Sequence, residues 1–187
     1  MTTPTTTTIQ NAPCATVRPT AQGIRIECET LIQAPPAVVW DVIQEPDRRV
    51  EWDARLTNCT LLSARPLGRG GRIRSNYSLL GWVDSEYTSW QPVQRSAVKS
   101  VGTSWGNPIH SFVASWNFTP TEQGATVWKT QIVLKGMGGR RVAPLLERLM
   151  IGPIMAWLTK KSARNLQALA EREAGLREAS QAVTVAA

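Results

Sequence analysis

The stretch Ile24-Arg25-Ile26-Glu27-Cys28-Glu29-Thr30-Leu31-Ile32 alternates large apolar and polar side chains, the period of a half-buried strand. It runs into Ala34-Pro35-Pro36-Ala37-Val38-Val39-Trp40-Asp41-Val42-Ile43, where Pro36 is pre-set for a first helical turn. On that helix Val39, Trp40 and Ile43 share a face. Glu45-Pro46 stops it, and Asp47 can cap a second short helix reaching Trp52-Asp53. Strand patterns then follow at 56–63, 70–80, 82–91, 95–101, 109–119 and 125–135, punctuated by Leu80-Gly81, Pro92, the 102–108 loop and Glu122-Gln123-Gly124. Within 70–80, Ile73, Ser75, Tyr77 and Leu79 share one face, opposite Arg72, Arg74, Asn76 and Ser78. Within 109–119, His110, Phe112, Ala114, Trp116 and Phe118 share one face. Six or seven strands linked by hairpins predict an antiparallel sheet.

After Gly136-Met137-Gly138-Gly139 the period changes. Val142, Leu145, Leu146, Leu149, Ile154, Leu158, Leu166 and Leu169 recur near helical spacing. Pro153 removes a backbone donor and crowds the preceding turn, which predicts a kink or a short helix at 140–151 and a longer one to about 173. Residues 1–22 carry Thr at six of positions 2–8 and few large apolar groups, a composition expected to stay disordered. The tail 175–187 is expected to fray. One domain, 23–174, is left between these tails.

These fragments, in this order, resemble the START-like (SRPBCC, Bet v 1-like) superfamily, and within it the bacterial polyketide cyclase/dehydrase proteins. The opening strand followed by Ala34-Pro35-Pro36, Trp40, Ile43 and Trp52-Asp53 carries the resemblance. So do the hairpin Gly70-Gly71-Arg72-Ile73-Arg74 with Leu80-Gly81-Trp82, and Phe118-Thr119-Pro120 with Gly124-Ala125-Thr126-Val127. The resemblance covers 23–173. It implies an α+β helix-grip fold: a curved antiparallel sheet around one long C-terminal helix, two short helices after the first strand, and a cavity between sheet and helix. One scaffold of this kind hosts many ligands and chemistries, so fold is specified more closely than function.

Cys14, Cys28 and Cys59 are odd in number and widely spaced, so neither a disulfide framework nor a zinc site is expected. A single His excludes a His-rich metal site, and no cofactor is implied. There is no secretory signal and no run of about 18 apolar residues, so a cytoplasmic location is expected. The net charge of +7 is uneven. Residues 135–164 hold Lys135, Arg140, Arg141, Arg148, Lys160, Lys161 and Arg164 against Glu147 alone. This reads as a solvated helix face, with peripheral contact to an anionic membrane or an acidic carrier protein as the alternative. No nucleic-acid motif accompanies the charge, so nucleic acid is not an expected partner.

The candidate site follows from phase and resemblance together. Ser75 and Tyr77 point inward, a small hydroxyl and a phenol that either donates to a ligand oxygen or packs with its hydroxyl at the rim. His110 either serves a ligand and moves protons or is satisfied by backbone at a strand end. Phe112 and Trp116 would line the cavity, with Leu149 and Met155 of the C-terminal run opposite. Trp105, held by no strand, either gates the mouth or anchors its loop on the core. Asp84 and Glu86 read as cross-strand partners of Arg72 and Arg74 rather than a catalytic pair. The expected function is binding of a hydrophobic or amphipathic small molecule: a lipid, a polyketide or an isoprenoid-like compound. The alternatives are a cofactor-free polyketide aromatase/cyclase or dehydratase using His110 or Tyr77, and a lipid or quinone chaperone that docks on membranes.

Overall fold

The computed structural model describes residues 12–20, 23–78, 81–105, 107, 111–135 and 152–186. Eight strands form one antiparallel sheet: β1 (Cys14–Thr20), β2 (Gly23–Ile32), β3 (Leu56–Leu61), β4 (Arg72–Tyr77), β5 (Gly81–Gln91), β6 (Arg95–Thr103), β7 (Ser111–Pro120) and β8 (Thr126–Lys135). Their order across the sheet is β1-β2-β8-β7-β6-β5-β4-β3, so β3 to β8 are successive hairpins and β8 returns to pair with β2. Between β2 and β3 lie helix α1 (Pro36–Gln44), a 3₁₀ turn (Pro46–Arg48) and the single-turn helix α2 (Arg49–Trp52). Helix α3 (Gly152–Ala186) closes the chain. This is the expected α+β helix-grip architecture.

The alternation within the strands determines which face is buried. Along β2 the residues Ile24, Ile26, Cys28, Thr30 and Ile32 are buried, while Arg25 is exposed. The outer face is laced by cross-strand charge pairs. Arg72 meets Glu86 at 3.0 Å, Arg74 meets Asp84 at 2.7 and 2.8 Å, and Lys129 meets Glu29 at 2.9 Å. Asp84 and Glu86 are therefore engaged in the sheet surface, as their phase predicted.

Helix α1 plugs one end of the curved sheet. Its Trp40 ring meets Trp90 of β5 and Phe118 of β7 edge-on, with centroids 5.0 and 5.3 Å apart, and Tyr87 meets Trp90 edge-on at 4.8 Å. Such edge-to-face aromatic packing fills volume with stiff surfaces. Helix α3 presents Met155, Thr159, Ser162, Ala163, Leu166, Leu169, Ala170 and Ala174 on its buried face, at helical spacing. It packs against β1, β2, α1 and α2. Ala163 and Ala170 are wholly buried, and their small side chains let the helix approach the sheet closely.

Two features differ from the sequence expectation. There are eight strands rather than six or seven, because Cys14–Thr20 in the expected tail pairs along β2 from Cys14↔Glu29 to Thr20↔Gly23. Large apolar groups are scarce there, so β1 is held by ladder hydrogen bonds and by Ala15 and Val17 against the core, a weak signal in composition. Helix α3 continues through 175–186, beyond the expected end near 173, although residues 175–182 bury nothing. Pro153 lies in the first turn of the described helix, where its missing N–H is tolerated, and the expected helix at 140–151 with its kink lies outside the described residues. No described helix is long and apolar enough to cross a membrane.

Leu166 is fully buried beneath the sheet, whereas Leu176, about three turns later, is exposed. Leu166→Ala should cost about 2–5 kcal/mol of stability in urea unfolding. Leu176→Ala should change it by no more than about 0.5 kcal/mol. Equal effects would place the grip of α3 elsewhere along its length.

Candidate functional site

Beneath the concave face of the sheet, beside the first turns of α3, lies a cavity of about 370 Å³. Its walls are mostly apolar. Val83 of β5, Val98 of β6, Phe112, Ala114 and Trp116 of β7, and Ile132 and Leu134 of β8 form the sheet side. Ile154, Met155 and Leu158 of α3 form the opposite side. The strand registers Phe112↔Leu134, Ala114↔Ile132 and Val98↔Ala114 set these side chains in a continuous lining. Polar groups enter from β4 (Ser75, Tyr77), from β5 (Ser85) and from α2 with the turn after it (Arg49, Asp53, Arg55).

The turn after α2 carries a buried ion pair. Arg55 meets Asp53 through two bonds of 2.7 Å, a bidentate geometry. Ser162 of α3 accepts the Ala54 N–H at 3.0 Å, and its hydroxyl faces Asp53 Oδ1 at 3.2 Å and the Leu158 carbonyl at 2.9 Å. Burial opposes ionisation of Asp53, but the charge and hydrogen bonds of Arg55 override it and hold the carboxyl below its usual range. The pair thus pins the α2–β3 corner to α3 and fixes one side of the cavity.

Arg49 is buried differently. Its Nε donates to the Ile43 carbonyl in the last turn of α1 at 3.2 Å, and its Nη2 donates to the Tyr87 hydroxyl at 2.6 Å. Its guanidinium lies 5.1 Å from the Trp116 ring centroid. Tyr87 in turn donates to Gln44 Oε1 at 3.0 Å, and Gln44 Nε2 donates to Ser96 Oγ at 2.6 Å. Among the described residues no carboxylate makes an ion pair with Arg49. Burial opposes its charge, yet its proton affinity is held above the usual range by Tyr87 and Cys59, which ionise only in the alkaline range where an arginine would lose its proton, and by Asp53. Tyr77 completes the polar set. Burial, the largest influence, pushes its phenol up to about 12, so it is a proton-bearing donor at neutral pH. Its hydroxyl bonds to no described residue.

Of the residues singled out in the sequence, Ser75, Tyr77, Phe112, Trp116 and Met155 all line this cavity. Ser75 also lies 3.9 Å from the Cys59 sulfur. Trp105 is fully exposed in the turn after β6 and is not part of the lining. His110 and Leu149 lie outside the described residues. Arg49, Asp53 and Arg55 were not anticipated. The sequence analysis names Asp53 only within the Trp52-Asp53 pair, and the hint it holds is that Arg49 and Asp53, four apart, share a helical face with apolar neighbours at Trp52 and Leu56. Of the eight tryptophans, Trp40, Trp52 and Trp128 are buried in the core away from the cavity, Trp105 and Trp157 are exposed and, among the described residues, only Trp116 lines the cavity. Among the described residues no group of three His, Cys, Asp or Glu side chains is placed to hold a metal ion.

Comparison with known proteins gives the fold a context. The sequence model of the family described as "Polyketide cyclase / dehydrase and lipid transport" matches residues 23–172. No curated protein matches the chain. Among solved structures, the Zhui aromatase/cyclase from a Streptomyces species superposes with a TM-score of 0.66 at 16% identity, covering 79% of this chain and 93% of its own. A Thermus thermophilus protein does so at 0.63 and 17% identity, covering 78% and 96%. A Mesorhizobium loti protein gives 0.59 and 19%, covering 79% and 97%. At these identities the likeness concerns the fold alone.

The Asp53 carboxyl, depressed in the folded state, stabilises the fold above its unfolded value of about 3.9 and loses that contribution as the pH falls through its folded value. Asp53→Asn should cost roughly 3–5 kcal/mol near neutral pH, because it leaves the buried Arg55 charge unpaired. It should also remove part of the steep loss of stability below about pH 4. Urea midpoints across the acid range check both. An unchanged acid profile would show that other carboxylates govern it.

Proposed function

The chain belongs to the polyketide cyclase/dehydrase and lipid-transport family, and we propose that it binds one amphipathic small molecule between its sheet and α3. The observation that carries this reading is a mostly apolar cavity of about 370 Å³ with polar groups confined to one wall and one end. That volume lies within the range of about 300–1,000 Å³ occupied by small-molecule ligands. Native packing otherwise leaves few voids larger than a water molecule, so a hollow of this size in a chain with an ample aromatic core calls for an occupant. The apolar walls supply affinity through burial, and Tyr77, Arg49 and Arg55 orient the ligand's oxygen atoms.

Native mass spectrometry of the freshly purified protein should show a co-purifying small molecule. A neutral, environment-sensitive naphthyl ketone should bind the emptied protein. Ala114→Phe places a ring into the cavity from the middle of β7 and should weaken that binding by about tenfold or more. Equal binding by a well-folded Ala114→Phe variant, with no co-purified ligand, would refute the reading.

A second reading, cyclisation with loss of water, draws on the Tyr77 phenol, which bears its proton and has no described partner. In such an aldol-type step a base removes a proton from carbon beside a carbonyl. The enolate carbon bonds to a second carbonyl carbon, whose oxygen takes a proton to become a hydroxyl; removal of the remaining proton from the newly bonded carbon, with protonation of that hydroxyl, then expels water and forms the carbon–carbon double bond. Tyr77 would be the donor that polarises the second carbonyl, and His110 the base that the sequence offers. On a polyketide-like substrate, Tyr77→Phe should lower turnover by at least roughly tenfold while binding of the neutral probe is little changed. Full turnover in both Tyr77→Phe and His110→Ala would leave this reading without a proton carrier.

A further inference from the structure

Two cations and one anion, Arg49, Arg55 and Asp53, are the charged residues that line the cavity among those described. Asp53 is taken by Arg55 in the bidentate pair. One positive charge is therefore left over, and it belongs to Arg49. Its surroundings supply no second anion. Burial raises the Tyr87 phenol and the Cys59 thiol, so both are neutral at physiological pH. The Ile43 carbonyl, the Tyr87 hydroxyl and the Trp116 ring are dipoles and a π-face, which spread the charge without cancelling it.

The hydrogen-bond chain behind Arg49 also has a direction. Arg49 donates to Tyr87, Tyr87 to Gln44 and Gln44 to Ser96. The acceptor that this chain offers Arg49 is the Tyr87 hydroxyl, which is already engaged. Arg49 lines the cavity, and its guanidinium can only donate. A buried cation without a counter-ion costs several kcal/mol, and a ligand that brings the missing charge removes that cost. We propose that the end of the cavity formed by Arg49 and Trp116 is a recognition site for an oxyanion, so that the bound amphiphile carries one negative charge, as a carboxylate, enolate or phenolate, directly on Arg49. This rests on the cavity being a ligand site, and adds the charge and orientation of the ligand: oxyanion at the α2 end, apolar body along Ala114, Ile132 and Met155.

The test is a matched pair of probes, 2-naphthoate and its methyl ester, titrated into the emptied protein near neutral pH at low and high salt. The two share a ring system and differ by one negative charge. The carboxylate is expected to bind about tenfold or more tighter than the ester, the scale of one charged hydrogen bond. That advantage should persist at high salt, because a buried pair is screened far less than the basic surface of a +7 chain. Arg49→Met should abolish the advantage, so that carboxylate and ester bind alike. Ester binding equal to or tighter than carboxylate binding in the unaltered protein would overturn the proposal while leaving the cavity a ligand site, even if Arg49→Met fails to fold. Carboxylate binding that vanishes at high salt would assign it to the surface and overturn the proposal as well. If neither probe binds, the ligand-site reading fails and takes the proposal with it.

Discussion

A helix has one apolar face, and in this protein the face of α3 is used up on one side of the sheet. Ala163, Leu166, Ala170 and Ala174 press it against β1, β2, α1 and α2. The concave surface of β4 to β8 needs a different cover. At one end α1 provides it, where Trp40 wedges between Trp90 and Phe118. Farther along the strands, among the described elements, only the first turns of α3 face Val98, Ala114 and Ile132, and they stand off far enough to leave a hollow. The cavity follows from this division of apolar surface. It also explains why small residues concentrate where helix and sheet touch, while Phe112, Leu134 and Met155 appear where they do not.

The buried charges are held by two different strategies. Asp53 and Arg55 satisfy each other with a fork geometry that makes burial tolerable, and Ser162 ties the pair to α3. That link is mechanical: it connects the α2–β3 corner to the helix across the cavity wall. Arg49 has no such partner and is accommodated by a helix C-terminal carbonyl, a phenol and an indole face. The C-terminal end of α1 carries partial negative charge, which favours a cation there by about 0.3–1 kcal/mol, up to about 2 when partly buried. Against a desolvation cost of several kcal/mol that is incomplete compensation. Structural capping of α1 thus accounts for where Arg49 points but only partly for why its charge is retained.

Strand phase was legible because alternation is local. Ile73, Ser75 and Tyr77, or Phe112, Ala114 and Trp116, declare a face without reference to the rest of the chain. The edge strand β1 was not, since Cys14, Ala15, Thr16 and Val17 bury little and are held by pairing that only the folded β2 provides. The charged part of the site was hidden for a related reason. Arg49, Asp53 and Arg55 fall in a short acidic and basic stretch that resembles any solvated turn, and their burial depends on Trp116, Tyr87 and Ser162, far away in sequence. Long-range pairing of buried polar groups leaves no periodic trace. The tryptophans show the same limit: nothing local distinguishes Trp40, Trp52 and Trp128, which pack the core, from Trp105 and Trp157, which stand exposed.

The chemistry of the described lining bears on whether binding or catalysis is the better account. Ring closure with dehydration requires a base whose affinity for a proton suits neutral pH. Asp53 is the one carboxylate in the described lining, and Arg55 both lowers its proton affinity and occupies its oxygens. Tyr77 holds its proton to about pH 12 and is no base at neutral pH. Arg49 and Arg55 are donors in every accessible state. This part of the cavity can therefore polarise, orient and neutralise an oxygen-bearing ligand, but it has no group suited to taking a proton from carbon. A carrier needs nothing more than that set of donors. An enzyme would need His110 to reach the same space, so the two readings separate on the position and titration of a single imidazole.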